Sequence, residues 1–181
     1  MSRRVMLLLE SDYLRLSKES GAAWKRVVRA IISEYVDHDS GFNPRNPGKN
    51  VPRFLLNDVV RFWRTLCVDF AYKQWEQQGH KWGLRNIKLR MSRKLIFVKG
   101  LLMCMRHFQD EAVDSESLKG KLCAYAEAHP LPFIYDTLNP YTELHPHLVK
   151  LFAAYDTFLH RMNDKSLRDH LERLNRDTAY D

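Results

Sequence analysis

The stretch from Arg53 to Gln78 limits the fold more than any other, because its twenty-six residues contain no glycine or proline. Apolar side chains occupy most of its positions. A segment of this length without helix breakers predicts one long helix. A helix this apolar is expected to lie at the centre of the fold rather than on its surface.

Helical periodicity recurs along the rest of the chain, and we find no convincing alternation of period two. Further helices are predicted over Arg3–Leu16, Trp24–Asp37, Leu84–His107, Asp114–Ala128, Pro146–Met162 and from Asp164 onward. A break near Ser20-Gly21 is predicted to separate the first of these helices from the second. Residues 41–52 hold three prolines and two glycines and are predicted to form a loop, and residues 131–140 a single short helical turn. The predicted fold is all-α, a bundle of about six to seven helices around two long central apolar helices.

Length and composition predict one helical domain over residues 1–181. Its predicted parts are N-terminal helices (1–40), a loop (41–52), a central helix pair (53–109) and acidic C-terminal helices (110–181). The hydrophobic fraction of 45% excludes a disordered chain. Three cysteines without metal-type spacing predict a reduced, cytoplasmic setting. No apolar run is long enough to cross a bilayer, so no membrane partner is expected.

The net charge of +7 is unevenly distributed along the chain. Residues 77–109 contain eight Lys and Arg residues and no carboxylate, whereas residues 110–181 contain eight basic and thirteen acidic residues. This pattern indicates an anion site in the middle of the chain, or attraction between its two halves. A solvated basic helix face is the alternative.

Common catalytic and phosphate-binding motifs are absent. The sequence has no Walker loop, no Gly-x-Gly-x-x-Gly and no His-Glu-x-x-His. Asp37 and Asp39 are spaced like a paired carboxylate, but they close a helix, and two acids one residue apart point the same way only on a strand. The sequence therefore predicts no catalytic residue and no metal ligand.

The polar positions of the two central helices remain. Burying a charge costs several kcal/mol unless it is paired, so we expect Asn57, Asp58 and Asp69 to form a buried polar network with bases such as Arg61, Arg85 or Lys88. The alternative is that spare guanidinium groups of these helices face a cleft and bind phosphate bidentately. Both interpretations stay open at this point.

Two motifs carry a family resemblance. Residues 57–70 read NDVVRFWRTLCVDF, and residues 81–95 read KWGLRNIKLRMSRKL. Together with residues 3–11 and 52–58, they resemble the helical C-terminal half of bacterial nucleotidyltransferase-domain proteins of the polymerase-β superfamily. The resemblance covers about residues 1–107 and fades into the acidic tail.

The resemblance implies a helical half without its catalytic half. In that family an α/β domain grips the triphosphate with a Gly-Ser turn and binds two metals through carboxylates, and this chain has neither feature. The implied partners are a nucleotidyltransferase catalytic domain or subunit and a nucleotide. Mg²⁺ would enter with that nucleotide, and the chain itself would hold no cofactor. The resemblance makes five cations candidates for phosphate binding, and the charge pattern adds Arg85. The candidate phosphate-binding residues are Arg61, Arg64, Arg85, Lys88, Arg93 and Lys94.

Three other functions remain open. The chain could be a stand-alone basic nucleic-acid-binding protein, whose binding would depend steeply on salt. It could be a protein-interaction module that binds no anion. It could also be a small enzyme acting on nucleotides through Asp58 and Arg61, so enzymatic activity is left undecided.

Overall fold

A computed structural model describes residues 2–10, 18–39, 51–109 and 114–177. Throughout these residues the ordered elements are helices and none is a strand, which confirms the predicted all-α class. The α-helices are α1 (Ser2–Leu9), α2 (Lys18–Asp37), α3 (Arg53–Glu76), α4 (Trp82–Lys88), α5 (Lys94–Met105), α6 (Ser115–Glu127), α7 (Pro130–Leu138), α8 (His145–Asn163) and α9 (Lys165–Arg173). None of them, in the described ranges, has both the length and the hydropathy needed to cross a bilayer.

The chain forms two compact units, and each combines two separate segments. Unit 1 comprises Met1–Phe62 and Ile96–Thr137, and unit 2 comprises Trp63–Leu95 and Leu138–Asp181. Helices α3 and α5 each contribute residues to both units. The prediction of one domain over residues 1–181 stays a prediction.

The core of unit 1 is built from the apolar faces of α1, α2, α6 and α7 with the adjoining parts of α3 and α5. The indole N–H of Trp24 donates a 2.9 Å hydrogen bond to the carbonyl of Leu7, which ties α2 to α1. The largest fully buried apolar side chains of this unit are Val5, Leu8, Val28, Ile32, Leu55, Val59, Met103, Leu118, Leu122 and Ile134. Their spacing along each helix is the helical repeat expected for an amphipathic element.

In unit 2, α4 packs closely on α9 because residue 83 has no side chain. A Cβ atom at Gly83 would lie 2.8 Å from the carbonyl oxygen of Leu171. The N–H of Gly83 donates to the carbonyl of Leu174 at 3.2 Å. Glycine therefore fixes the distance between these two helices.

Burial along α3 changes at the boundary of the two units. The buried residues of this helix are Leu55, Asp58, Val59 and Phe62, all within unit 1. From Trp63 to Glu76 every residue of α3 is half-buried or exposed. Helix α3 was expected to be buried along its whole length, whereas the structure buries one face of its first ten residues and no residue of the rest.

Helix ends follow the sequence where a local cap determines them. Asp114 accepts a hydrogen bond from the N–H of Ser117 at 2.8 Å, and Asp164 accepts from Ser166 and Leu167, as predicted. Helix α2 continues through Ser20 and Gly21, so the predicted break there is wrong. Helix α7 has nine residues where a single short turn was expected. The distal part of the predicted Arg3–Leu16 helix and most of the predicted loop lie outside the described residues.

The predicted helix from Leu84 to His107 contains a π-helical turn. Leu89–Arg93 lies between α4 and α5, and Arg106–Gln109 continues as a 3₁₀ turn. A π turn takes up one residue more than an α turn, so the side chains after it are rotated relative to a continuous 3.6-residue repeat. Met105, which a continuous helical repeat from Leu84 would place on the apolar face, is 44% exposed, whereas Lys99 is 1% exposed.

Candidate functional site

Polar residues of α3 line two separate clefts, one in each unit. The first, which we name the Asp58 cleft, lies in unit 1 and has a volume of about 630 Å³. The second, which we name the basic groove, lies in unit 2 and has a volume of about 210 Å³. The two clefts differ in how their charges are paired.

The Asp58 cleft is centred on a buried carboxylate with two partners. The hydroxyl of Tyr35 donates to Asp58 Oδ2 at 2.7 Å, and the guanidinium of Arg61 lies 3.6 Å from Asp58 Oδ1. Burial raises the pKa of Tyr35 above its ordinary value, and the hydrogen bond to Asp58 raises it further. The Tyr35 hydroxyl therefore stays protonated and donates at any physiological pH.

The charges that line the Asp58 cleft balance one another. The lining residues are Arg4, Glu34, Tyr35, His38, Phe54, Asn57, Asp58 and Arg61. Two arginines face two carboxylates, so the cleft is neutral when His38 is neutral. It therefore offers no excess positive charge to an anion.

The basic groove has a strong excess of positive charge. Its lining residues are Leu66, Asp69, Phe70 and Lys73 of α3, Arg85 and Lys88 of α4, and Leu89 and Arg93 of the π turn. Four cationic side chains and one carboxylate give this small groove a net charge of +3. Its apolar surface comes from Leu66, Phe70 and Leu89.

Helix geometry explains how these residues converge. On α3 the groove residues follow the i, i+3, i+4, i+7 spacing that places side chains on one face. Arg85 and Lys88 are three residues apart on α4, so they also share a face. Arg93 reaches the groove from the last position of the π turn. π-Helical turns occur frequently at functional sites.

The four cations differ in the ion pairs and hydrogen bonds that they already form within the protein. Lys73 pairs with Asp69 at 2.8 Å. Arg85 donates to the carbonyl of Lys73 at 3.4 Å and also to the side chain of Gln77. Across the described ranges the ammonium of Lys88 and the guanidinium of Arg93 form no ion pair, and both side chains are exposed.

The structure brings together some of the predicted phosphate-binding residues and separates the others. Arg85, Lys88 and Arg93 line the basic groove. Arg61 lines the Asp58 cleft instead. Arg64 and Lys94 are exposed and line neither cleft.

The expected buried polar network is wrong in two of its three members. Asp58 is buried and pairs with Arg61 as predicted. Asn57 lines the Asp58 cleft but is exposed rather than buried. The Asp69 side chain is 41% exposed and pairs with Lys73 on the same helix rather than with Arg61, Arg85 or Lys88.

Two basic residues of the carboxylate-free segment stabilise unit 1. The ammonium of Lys99 is buried and donates to the carbonyl of Ala126 at 3.0 Å, in the last turn of α6, where cations are favoured. The guanidinium of Arg106 lies 5.2 Å from the ring centroid of Tyr125 and 5.5 Å from that of Phe133. These two charges are engaged within unit 1.

Sequence reasoning missed Lys73, Tyr35 and Lys99. The i, i+4 spacing of Asp69 and Lys73 was a usable signal, because such pairs share a helix face. Tyr35 lies 23 residues before its partner Asp58, and Lys99 lies 27 residues before Ala126. Local spacing carries no information about contacts across such distances.

The donor atoms of the basic groove do not suit a divalent metal. Mg²⁺ prefers carboxylate and carbonyl oxygens, and the groove has one carboxylate, already paired with Lys73. The described part of the chain contains no group of three or more His, Cys, Asp or Glu side chains placed to hold a metal ion.

Comparison of the chain with protein-family models, with curated proteins and with solved structures finds no match.

Proposed function

We propose that the chain is a helical module that binds phosphate groups in the basic groove. In this proposal the groove forms part of the nucleotide or acceptor cleft of a nucleotidyltransferase. One observation carries the phosphate assignment: Lys73, Arg85, Lys88 and Arg93 converge on a groove with a single carboxylate. Charge-assisted hydrogen bonds from such groups to phosphate oxygens are about twice as strong as neutral ones.

The size of the groove indicates which part of a ligand it takes. Pockets that enclose a small organic ligand measure about 300–1,000 Å³, whereas this groove measures about 210 Å³. It suits the phosphate groups of a nucleotide better than the whole molecule. A base and sugar would extend beyond it, toward a partner.

The nucleotidyltransferase assignment comes from the resemblance of residues 57–70 and 81–95 to the helical half of those enzymes. Within this proposal a catalytic domain or subunit supplies the carboxylates that hold Mg²⁺, since the groove has none to spare. The groove would hold the phosphates at its Lys and Arg residues, and the partner would perform the chemistry.

The binding of phosphate itself is tested with tripolyphosphate and with ATP plus Mg²⁺, by titration calorimetry on the full chain. We expect Lys88→Ala and Arg93→Ala each to weaken tripolyphosphate binding about tenfold, since each removes a charged hydrogen-bond donor. Lys94→Ala is the matched control, because Lys94 adjoins Arg93, is also exposed and does not line the groove. No binding, or equal losses in all three variants, would contradict the proposal.

A second candidate is a protein that binds the backbone of a nucleic acid in the same groove. The net charge of +7 favours it, as does a groove too small for a whole nucleotide. In that case affinity for generic DNA or RNA should fall steeply with salt, and Lys88→Ala should reduce the salt slope by about one. Binding of single nucleotides with no affinity for oligonucleotides would exclude it.

A further inference from the structure

Helix α3 has an exposed stripe on the side away from the basic groove. Its residues, all exposed, are Arg64, Thr65, Val68, Ala71, Tyr72, Trp75 and Glu76. Successive residues turn by about 100° around a helix, which places this stripe opposite the face that carries Leu66 and Phe70. We name it the α3 stripe.

The centre of the α3 stripe is strongly apolar. Val68 is 67% exposed, Tyr72 51% and Trp75 78%. The rings of Tyr72 and Trp75 lie 6.0 Å apart and present one continuous aromatic surface. Contiguous apolar surface of this kind marks an interaction site, and Trp and Tyr are the residues most enriched at the energetic centres of interfaces.

Opposite charges lie at the two ends of the stripe. Arg64 is at its N-terminal end and, within the described ranges, forms no ion pair. Glu76 is at its C-terminal end and accepts a hydrogen bond from Tyr72 at 3.3 Å. The stripe is therefore positive at one end, apolar in the middle and negative at the other.

We infer that the α3 stripe binds the same stripe of a second copy of this chain, with the two helices antiparallel about a two-fold axis. An isologous contact needs a surface complementary to itself, and a stripe with opposite charges at its ends meets this requirement when it is reversed. A partner with a uniformly acidic or basic face would match only one end.

The register of the pair follows from the spacing of the charges. Arg64 and Glu76 are twelve residues apart, about 18 Å along a helix. In an antiparallel pair centred on residue 70, Arg64 of each copy lies at the same height as Glu76 of the other, and the two meet when the helices cross with their i, i+4 rows (residues 64, 68, 72 and 76) aligned. The same register brings Val68 opposite Tyr72 at the centre and Trp75 opposite Thr65 nearer the ends, so the apolar contact lies between the two charge pairs.

The inference is tested by sedimentation equilibrium on the full chain over a range of concentrations. We expect the average mass to rise from 21.5 kDa toward twice that value. Trp75→Ala should weaken the association about 30-fold, because Trp75 is the largest and most exposed apolar side chain of the stripe. Val68→Glu should abolish it, whereas Val149→Glu, at a valine on α8 that is 69% exposed, should leave it unchanged.

A charge exchange distinguishes a second copy from any other partner. Glu76→Arg places two arginines opposite each other and should weaken the association about fivefold. Adding Arg64→Glu restores opposite charges and should return the affinity to its original value. A mass of 21.5 kDa at every concentration, a dimer insensitive to Trp75→Ala, or a double variant no tighter than Glu76→Arg would each overturn the inference.

Because every substituted side chain is exposed, the thermal unfolding temperature should stay the same at protein concentrations low enough for the chain to be monomeric, and measured there it provides the control for folding. The stripe and the basic groove lie on different faces of α3. Loss of the dimer should therefore leave tripolyphosphate binding intact. Calorimetry tests the phosphate proposal and sedimentation tests the dimer proposal, so either can fail without the other.

Discussion

The buried charges of unit 1 have partners within that unit, whereas two cations of the unit 2 groove are exposed. In unit 1, Asp58 has both Tyr35 and Arg61, and Lys119 contacts Asp37 and Glu116 at 2.7 Å each. Hydrogen bonds to those two carboxylates raise the pKa of Lys119. In unit 2, Lys88 and Arg93 line a groove, and in the described ranges neither forms an ion pair.

The difference shows that the charge of a segment does not by itself indicate a ligand site. Residues 77–109 are uniformly basic in the sequence, yet Lys99 and Arg106 hold unit 1 together while Lys88 and Arg93 remain accessible. A cation that caps a helix or lies over an aromatic ring is satisfied. The groove differs because its cations outnumber its carboxylate.

The strongest test compares two lysines of the same basic segment. Lys99→Ala should destabilise the protein by about 3 kcal/mol, because it leaves a cavity and an unsatisfied carbonyl at Ala126. Lys94→Ala removes an equal charge from the surface and should change stability by less than about 0.5 kcal/mol. Urea unfolding followed by circular dichroism measures both. Equal effects would remove the distinction between structural and accessible cations.

The next test compares two carboxylates of α3. Asp58→Ala should cost about 2 kcal/mol, since it strands the buried hydroxyl of Tyr35. Asp69→Ala removes an exposed i, i+4 pair with Lys73 and should cost about 0.5 kcal/mol or less. The same unfolding measurement applies. If Asp69→Ala proved the more costly, the groove would need its carboxylate for stability.

A third test changes the spacing of helices in unit 2. Gly83→Ala brings a methyl group against the Leu171 carbonyl and should destabilise by about 1.5 kcal/mol, because backbone must move. It should also weaken tripolyphosphate binding, since α4 carries Arg85 and Lys88. Gly120→Ala in α6 meets no atom within 4 Å and should stabilise by about 0.5 kcal/mol. If tripolyphosphate binding were unchanged in Gly83→Ala, the geometry of the groove would not depend on the packing of α4 on α9.

The smallest effect concerns alkaline pH and unit 1. Burial raises the pKa of the Cys104 thiol from 9.0 to about 12. The unfolded chain then loses this proton at lower pH than the folded chain, so the stabilisation is complete below pH 9.0 and is lost as the pH rises toward about 12. Between neutral pH and the lower end of that range we expect a loss of about 0.5 kcal/mol. Cys104→Ala should show a shallower decline; an identical decline would assign the effect to other groups.

The sequence was sufficient where structure is determined locally. The starts of α6 and α9 follow from Asp114 and Asp164, because a cap bonds to N–H groups two or three residues away. The length and helical state of α3 follow from the absence of breakers. Lys88 and Arg93 were candidates from the family resemblance and Arg85 from the carboxylate-free charge pattern, but neither signal separated them from Lys94, which does not line the groove.

The sequence was insufficient where a partner lies far along the chain. An apolar helix pattern looks the same whether it faces a core or solvent, so the exposure of Val68 and Trp75 could not be predicted. Lys99 has the composition of a surface residue and is buried by α6, which comes later in the chain. In the sequence Arg61 and Arg93 are equivalent candidates for phosphate binding. They are distinguished only by the fold, which places Arg61 in the Asp58 cleft of unit 1 and Arg93 in the basic groove of unit 2.

The π turn at Leu89–Arg93 also bears on how this chain tolerates changes in length. Deleting one residue from a regular packed helix rotates everything beyond the deletion by about 100°. A π turn already contains that additional residue, so a deletion within it would convert it to α-helix and leave the flanking helices in register. This short segment is thus a position where the gene can lose a codon without unfolding its product, and Arg93 is the side chain whose placement would change.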